Sequence, residues 1–478
     1  MTWQTRTDAL TPPAGGVTLS RLSGLPAWLR SNLFLQTDGG RLTWRRVLAG
    51  VLFVVAGAAA SLARTAGPGA LNSTWIEDAG NFLEDGLHHS VLTTLSTQMN
   101  GYYDVVPRAI TAIAVAFPIA WAPGIMSAAA AAEYATFGLI VYIASGPYLR
   151  SPWLRLLIAA PVCAIPLAYT QVNNDLVTVQ FFGLYGAFWT CLWLPGTRAG
   201  KVLSPLVMAT VSWTAVLSMV FAPLIVARLV VDRSKNAWAL AILWASGVWL
   251  QISETVLGRS NHLSYGNNSL VFVVENYVTR VAPRALFGER SLGGPGVNYT
   301  GDSTTPLHIT SVAGHQALIV GAWVVVLVIV VLALTRFTDP NWTLAGVAAL
   351  FSVGIFLEEL LINTSVVQSR YVVAPAMLLY TALVALMRPR VPEGAASAAL
   401  SARAPVRTMV RWLPAAGFAV LLLVAITLNF RVTNGRTTSP AWTSVVATAH
   451  GACALPHVTG YTFVHEWWYV TIPCSQVG

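Results

Sequence analysis

Four carboxylates, Glu77, Asp78, Glu84 and Asp85, fall within nine residues just after the first long apolar run. The chain has only 19 acids in 478 residues, so this is an unusual concentration. Acids packed beside a membrane are costly unless they are solvated, paired or used. An adjacent pair such as Glu77-Asp78 suits deprotonation of an acceptor hydroxyl or retention of a cation. A helix starting near Thr74 would set Glu77, Glu84 and His88 along one stripe, with Asp78 and Glu84 on neighbouring faces. The plainer alternative is an interfacial helix whose acids are solvated near its positive end. That alternative weighs most on Glu84 and Asp85. His88 and His89 stay open between cation ligands and surface residues.

Three further segments carry polar groups beside apolar runs. In Gly101-Tyr-Tyr-Asp-Val-Val-Pro-Arg108, Tyr102 and Tyr103 suit an interface, and Arg108 suits pairing with the carboxylates or gripping a phosphate. The run Gln171-Val-Asn-Asn-Asp175 has more amides than a short turn needs, and Asn173 and Asn174 suit sugar hydroxyls. In Ser369-Arg370-Tyr371, Arg370 opens an apolar run, either as a snorkelling anchor or as a clamp on a lipid phosphate. Glu358 and Glu359 are close enough in sequence to orient it. Glu133 lies inside an apolar run, where an acid is a functional candidate by default, with a solvated position near the outer side as the alternative. Arg259, Arg280 and Arg284 belong to a long polar segment whose part 270–287 is amphipathic and suited to lying on a membrane.

The elements that must position these residues follow from composition. Hydrophobic residues make up 55% and charged residues 10%, against about 25% charged in soluble domains. Mean hydropathy is +0.62, and apolar runs near span length recur without strand-like alternation. The expected fold is an all-α polytopic membrane protein with about eleven transmembrane helices. No cleavable leader is read in the polar first 40 residues, so the first run is expected as an uncleaved span. The net charge of +9 does not indicate a nucleic-acid partner, because the basic residues sit at the ends of runs rather than in one patch.

Arg41, Arg45 and Arg46 before the first span, 47–63, place the N-terminal segment 1–46 in the cytoplasm. The first outer loop, 64–124, then carries the acids. Within it, 109–122 is short and bounded by Pro118 and Pro123, so it is expected at the interface rather than across the membrane. Later spans are expected at 125–147, 154–170, 176–195, a pair within 203–231 turning near 219–223, 237–256, 315–335, 341–360, 371–387 and 411–430. A second outer loop covers 257–314 and a cytoplasmic linker 391–406. This leaves the tail, 431–478, outside a plasma membrane. Read as a span, 109–122 would put Arg150, Arg155, Arg198, Arg228 and Arg233 outside, against the basic bias.

The cysteines bear on the same orientation. Cys163 and Cys191 fall in apolar runs as core residues. Cys453 and Cys474 both fall in the tail, and an oxidising side predicts a disulfide there. A zinc pair with His457 and His465 is the rival, but its spacing matches no common zinc pattern.

The acidic motif 75–82, Gly101-Tyr-Tyr, Pro107-Arg108, Asn173-Asn174 and Ser369-Arg370-Tyr371 together resemble the GT-C superfamily of membrane glycosyltransferases. The resemblance covers the order of runs and loops along most of the chain, through short motifs. It departs where Ala79, not Gly, follows the acidic pair, and no large C-terminal carbohydrate-binding domain is read. It implies an inverting enzyme that moves a sugar from a polyprenyl-phosphate carrier to a cell-envelope glycan, lipid or protein acceptor. On that reading Asp78, with Glu77, is the base. Arg370 and Arg108 hold the donor phosphate. Glu84, Asp85, Tyr102, Tyr103, Asn173, Asn174 and Tyr371 line the substrates. No cofactor is assigned, and a divalent cation stays open. A transporter or flippase of lipid-linked saccharides is the alternative, and a non-enzymatic assembly partner is a third. A flippase would need acids along a midplane path, whereas here, apart from Glu133, they gather outside.

Overall fold

The computed structural model describes residues 24–37, 40, 42–99, 101–167, 173–257, 268–289, 313–362, 368–390, 404–431, 435–465 and 468–477. Arg259, Gln171 and most of the segments 257–314 and 391–406 lie outside these residues. Helices dominate, and the described strands form two small antiparallel pairs.

Six helices among the described residues are long and apolar enough to cross a membrane: Trp44–Leu62, Ile119–Ala144, Gln316–Leu334, Trp342–Leu361, Ser369–Leu386 and Val410–Leu428. Shorter apolar helices occupy Val105–Ala114, Pro152–Ala164, Leu176–Leu192 and Val216–Val231. Two more helices are Arg198–Ser212 and Lys235–Val256. Each apolar run expected to span therefore holds helix, and among the described residues six helices are both long and apolar enough to cross a membrane.

Boundaries move where proline chemistry decides them. The run 109–122 is not one helix. Val105–Ala114 ends four residues before Pro118, and the chain resumes at Ile119–Trp121 and continues directly into Ala122–Ala144. Proline lacks the donor that would continue the first helix and disfavours helix in the residue before it. The turn inside 203–231 falls at residues 213–215, not near 219–223. Pro223 instead occupies the first turn of Ala222–Val231, where a missing N–H costs nothing.

Two helices form the centre. Every residue of Val179–Leu192 and of Val373–Leu386 is buried, as expected of helices apolar all round. By contrast, Trp44–Leu62 buries one residue, Ser61, and its Leu52 and Val55 are exposed.

The two ends of the helices differ in chemistry. At one end the Tyr148 hydroxyl donates to the Leu33 and Leu192 carbonyls. There Arg388 donates to the Tyr148 carbonyl and to Asp339, and Arg30 to the Val231 carbonyl. The other end gathers the acidic segment, residues 173–175, Arg370 and the C-terminal segment. Helix Ser369–Leu386 joins the two ends, about 27 Å apart at 1.5 Å rise per residue.

The C-terminal segment is a helix, Trp442–Cys453, and a hairpin of Gly460–His465 with Trp468–Pro473. A Cys453–Cys474 disulfide closes it. It packs on the first loop. Trp442 Nε1 donates to the Ile119 carbonyl at 2.9 Å, and the Thr443 amide donates to Asn72 at 3.0 Å. Gly80 permits the approach of the hairpin, since a Cβ there would lie 3.3 Å from the Tyr469 carbonyl oxygen. The segment and the acidic cluster therefore lie at the same end of the helices.

Residues 270–287 form helix Leu270–Asn276, a π turn Tyr277–Val281 and helix Ala282–Phe287. Leu270, Val271 and Val274 are exposed, whereas Ala282, Ala285 and Leu286 are buried. The first half thus presents an outward apolar face, and the second half is part of the core.

Candidate active site

The acidic segment is not a plain α-helix. Asp78–Leu83 is a π turn, followed by a short helix Glu84–His88. A π turn holds more residues per turn than an α-helix and is frequent at functional sites. It takes Glu77 out of the stripe expected with Glu84 and His88, which still face each other at 3.5 Å, and sends the two ends of the segment to different partners. Glu84 accepts the Thr471 amide at 2.5 Å, and His88 Nε2 donates to the Thr471 carbonyl at 2.8 Å. Both residues hold the hairpin.

Glu77 turns the other way. Its carboxylate meets the Arg370 guanidinium at 3.1 Å, with each side chain 13% exposed. The Glu77 Oε2 and Arg370 Nε atoms are buried with no hydrogen-bond partner among the described residues. Tyr371 lies beside this pair, with its ring centroid 5.5 Å from the guanidinium carbon. Phe181 is 5.8 Å from the Tyr371 ring. This contact joins the first loop to Arg370 across 293 positions, a pairing the sequence reading did not make.

Arg108 is 1% exposed and closes on Asp85 at 2.6 Å. His89 stands 3.7 Å from the other Asp85 oxygen. Asn174 is fully buried and ties the loop to the first span, accepting from the Ser61 hydroxyl at 2.8 Å and donating to the Ser61 carbonyl at 3.0 Å. Asn173 presents its carbonyl to Arg436 at 3.2 Å. In this state these groups are occupied by the protein itself.

Arg436 joins the tail to the site. It is 2% exposed and donates to Asp175 at 2.8 Å, to the Asn173 and Asn174 carbonyls, to Ala70 and Ser73, and to the Ser127 hydroxyl. A planar guanidinium is suited to that many fixed acceptors.

Asp78 and Asp104 stand outside these ion pairs. Asp78 is 3% exposed and accepts the Leu176 amide on both oxygens, at 3.0 and 3.1 Å. Burial pushes its carboxyl up to about 7, with Glu77 adding to the rise while Arg436 and the Leu176 and Val177 amides pull it down. A group poised there can both take and return a proton near neutrality. Asp104 is fully buried, and neither carboxylate oxygen has a hydrogen-bond partner among the described residues. Burial, then the charges of Glu77 and Asp78, hold its carboxyl well above the usual range, against Arg108 and Arg370.

Local structure fixes Asp104. Gln98–Met99 pairs with Tyr102–Tyr103 around Gly101, whose φ of 85° favours glycine. Gln251 then clasps the Tyr103 backbone, accepting its amide and donating to its carbonyl, both at 2.9 Å. Asp104 follows directly, before helix Val105–Ala114. Tyr102 lies beside it, its hydroxyl accepting from Gln180 at 3.5 Å, and burial pushes the phenol upward.

The sequence reading did not single out Asp104, Asp175 or Arg436. An acid before a short helix reads as an ordinary N-cap, although Asp104 makes no capping bond. An arginine in a polar tail reads as solvated. The available signal for Asp104 was its place between two tyrosines and Pro-Arg beside a membrane-length run. Ser369 donates to Glu289, which also faces Arg284 at 4.0 Å. Glu133 remains apart, in the middle of Ala122–Ala144. Among the described residues no three His, Cys, Asp or Glu side chains converge to hold a metal ion.

No protein-family model matches this chain, and no curated protein matches it. The reading of the site rests on its own geometry.

Proposed function

We propose that this protein is an inverting membrane glycosyltransferase of GT-C type. It takes a sugar from a polyprenyl-phosphate carrier and delivers it to a cell-envelope glycan, lipid or protein acceptor. The carboxylate end then faces outward from a plasma membrane, with the arginine-rich end cytoplasmic as the basic bias requires. The eleven spans expected from the sequence belong to this reading.

The observation that carries the proposal is the Glu77–Arg370 contact. It sets a phosphate-competent guanidinium against the residue that precedes Asp78, an acid whose carboxyl burial pushes up to about 7. Arg370 exchanges its contact with Glu77 for one with the donor phosphate, a charge-assisted bond of the strong class. Asp78 takes the proton of the acceptor hydroxyl as that oxygen bonds to the anomeric carbon. The sugar–phosphate bond breaks on the opposite face, and its electron pair leaves with the polyprenyl phosphate. Base assistance is worth about 10²–10⁴-fold, and stabilisation of the leaving charge by Arg370 contributes on a comparable scale. Tyr102 and Tyr371 provide aromatic walls. Glu84, Asp85 and Arg108 hold the loop that carries Asp78, and Asn173 and Asn174 hold the facing loop.

The test is turnover with a panel of polyprenyl-phosphate sugars in reconstituted membranes. The expected result is release of polyprenyl phosphate with an inverted anomeric configuration in the product. Retention of configuration, or transbilayer movement of donor without bond cleavage, would contradict it.

A further inference from the structure

A second polar site lies at the other end of helix Ser369–Leu386. The chain between helices Ala313–Leu334 and Trp342–Ile362 bounds a cleft of about 500 Å³ whose lining includes Arg336, Thr338, Asp339, Trp342 and Arg390. Asp339 is already neutralised by Arg388 at 2.7 Å, and the Thr338 hydroxyl donates to the Leu386 carbonyl. Arg336 and Arg390 are exposed and have no ion pair or side-chain hydrogen bond among the described residues. Among the described residues the cleft therefore carries two positive charges with no acidic partner.

Its surroundings say which anion fits. Trp342 is 47% exposed beside the cleft, and a half-exposed indole at a helix end is typical of the headgroup level. Leading away from the cleft, Leu334, Val331 and Leu327 are 65%, 45% and 61% exposed. Steps of three and four residues put them on one face of the helix. A headgroup-sized cationic cleft thus continues into an apolar stripe.

We infer that this cleft is a binding site for an anionic phospholipid, its phosphate between Arg336 and Arg390 and its acyl chains along Leu327, Val331 and Leu334. Basic clefts at the ends of transmembrane helices recognise such headgroups through charge. A free phosphate would use the arginines but not the stripe. The inference rests on the membrane character of the chain and not on sugar transfer, and its test needs no donor.

Backbone geometry supplies a discriminating variant. Arg336 has φ 56°, just past the end of its helix, where glycine is the residue of lowest strain. Arg336→Gly therefore removes the charge while relaxing the backbone. Short-chain phosphatidylglycerol, phosphatidylcholine and inorganic phosphate would each be titrated against the protein in uncharged detergent, following the thermal transition. Saturable stabilisation by phosphatidylglycerol is expected, well beyond that by phosphatidylcholine or phosphate. Arg336→Gly and Arg390→Gln should each weaken it roughly fivefold, with the lipid-free transition unchanged or raised. If Arg336→Gly shows no cooperative transition, Arg390→Gln alone decides the matter. Equal effects of the two lipids, an equal effect of inorganic phosphate, or variants that bind phosphatidylglycerol like the parent would overturn the inference.

Discussion

Glu77 and Arg370 lie 293 positions apart in sequence and 3.1 Å apart in space. This pair fixes the first loop to the mouth of the central helix, so it should matter for both stability and binding. Arg370→Gln leaves a largely buried carboxylate unpaired. We expect a loss of about 3 kcal/mol and weaker binding of polyprenyl-phosphate donor. Adding Glu77→Gln should restore part of the stability but not the donor affinity. A double-mutant cycle on the thermal transition and on donor Kd checks this. Strict additivity in stability would remove the pair from the account.

Asp104 gives a pH signature with a defined sign. Its folded carboxyl sits well above 3.8, so the folded state holds more protons than the unfolded state once pH exceeds about 4. Stability conferred by the neutral form is therefore lost as pH rises towards the folded value. Asp104→Asn keeps shape without charge. The variant should match the parent near pH 4 and exceed it progressively towards pH 8, in thermal scans across pH. A variant curve parallel to the parent's at every pH would contradict the burial of this carboxyl without a partner among the described residues.

Arg436 is expected to be intolerant of change. The Asp175–Arg436 pair is almost wholly buried, and its guanidinium serves acceptors on several segments. Arg436→Ala should cost about 3–5 kcal/mol. Arg436→Lys should not restore it, because an ammonium cannot reproduce the planar fork. Denaturant or thermal unfolding of both variants is the measurement, and full rescue by lysine would reduce Arg436 to a point charge.

Much of this arrangement was legible in the sequence, for reasons specific to particular residues. Glu77 and Asp78 stood out because acids are rare here and costly beside a membrane. The tail disulfide was legible because Cys453 and Cys474 alone fell outside apolar runs. Helical character followed from the length of those runs. What was not legible depended on register and tertiary contact. The π turn at Asp78–Leu83 separates Glu77 from Glu84 and His88, and no local signal marks it. Asn174 reads as a ligand for sugar but its amide ties residues 61 and 65 to its loop. Arg436 and Asp104 acquire meaning only when the tail, residues 173–175 and the first loop meet at one end of the helices.

The Cys453–Cys474 bridge spans 21 positions and closes the segment that holds Glu84 and His88 through Thr471. In the chain-entropy model a loop of that size is worth about 3 kcal/mol. Cys453→Ser with Cys474→Ser should lower stability by about that amount, and unreduced parent should resist thiol labelling at both positions. Labelling of both without reductant would contradict the bond and, with it, the expected oxidising location of the tail.

The central claim is that Asp78 takes a proton during sugar transfer. The direct measurement is kcat/KM for sugar transfer from a polyprenyl-phosphate donor against pH, for the parent and for Asp78→Asn. With its carboxyl near 7, the parent's kcat/KM should rise with pH through about 7 and then level off. Asp78→Asn should lose roughly 10²–10⁴-fold of that rate and the limb near 7, while donor affinity stays close to the parent's. Near-parental transfer by Asp78→Asn, with the same pH limb, would contradict the account.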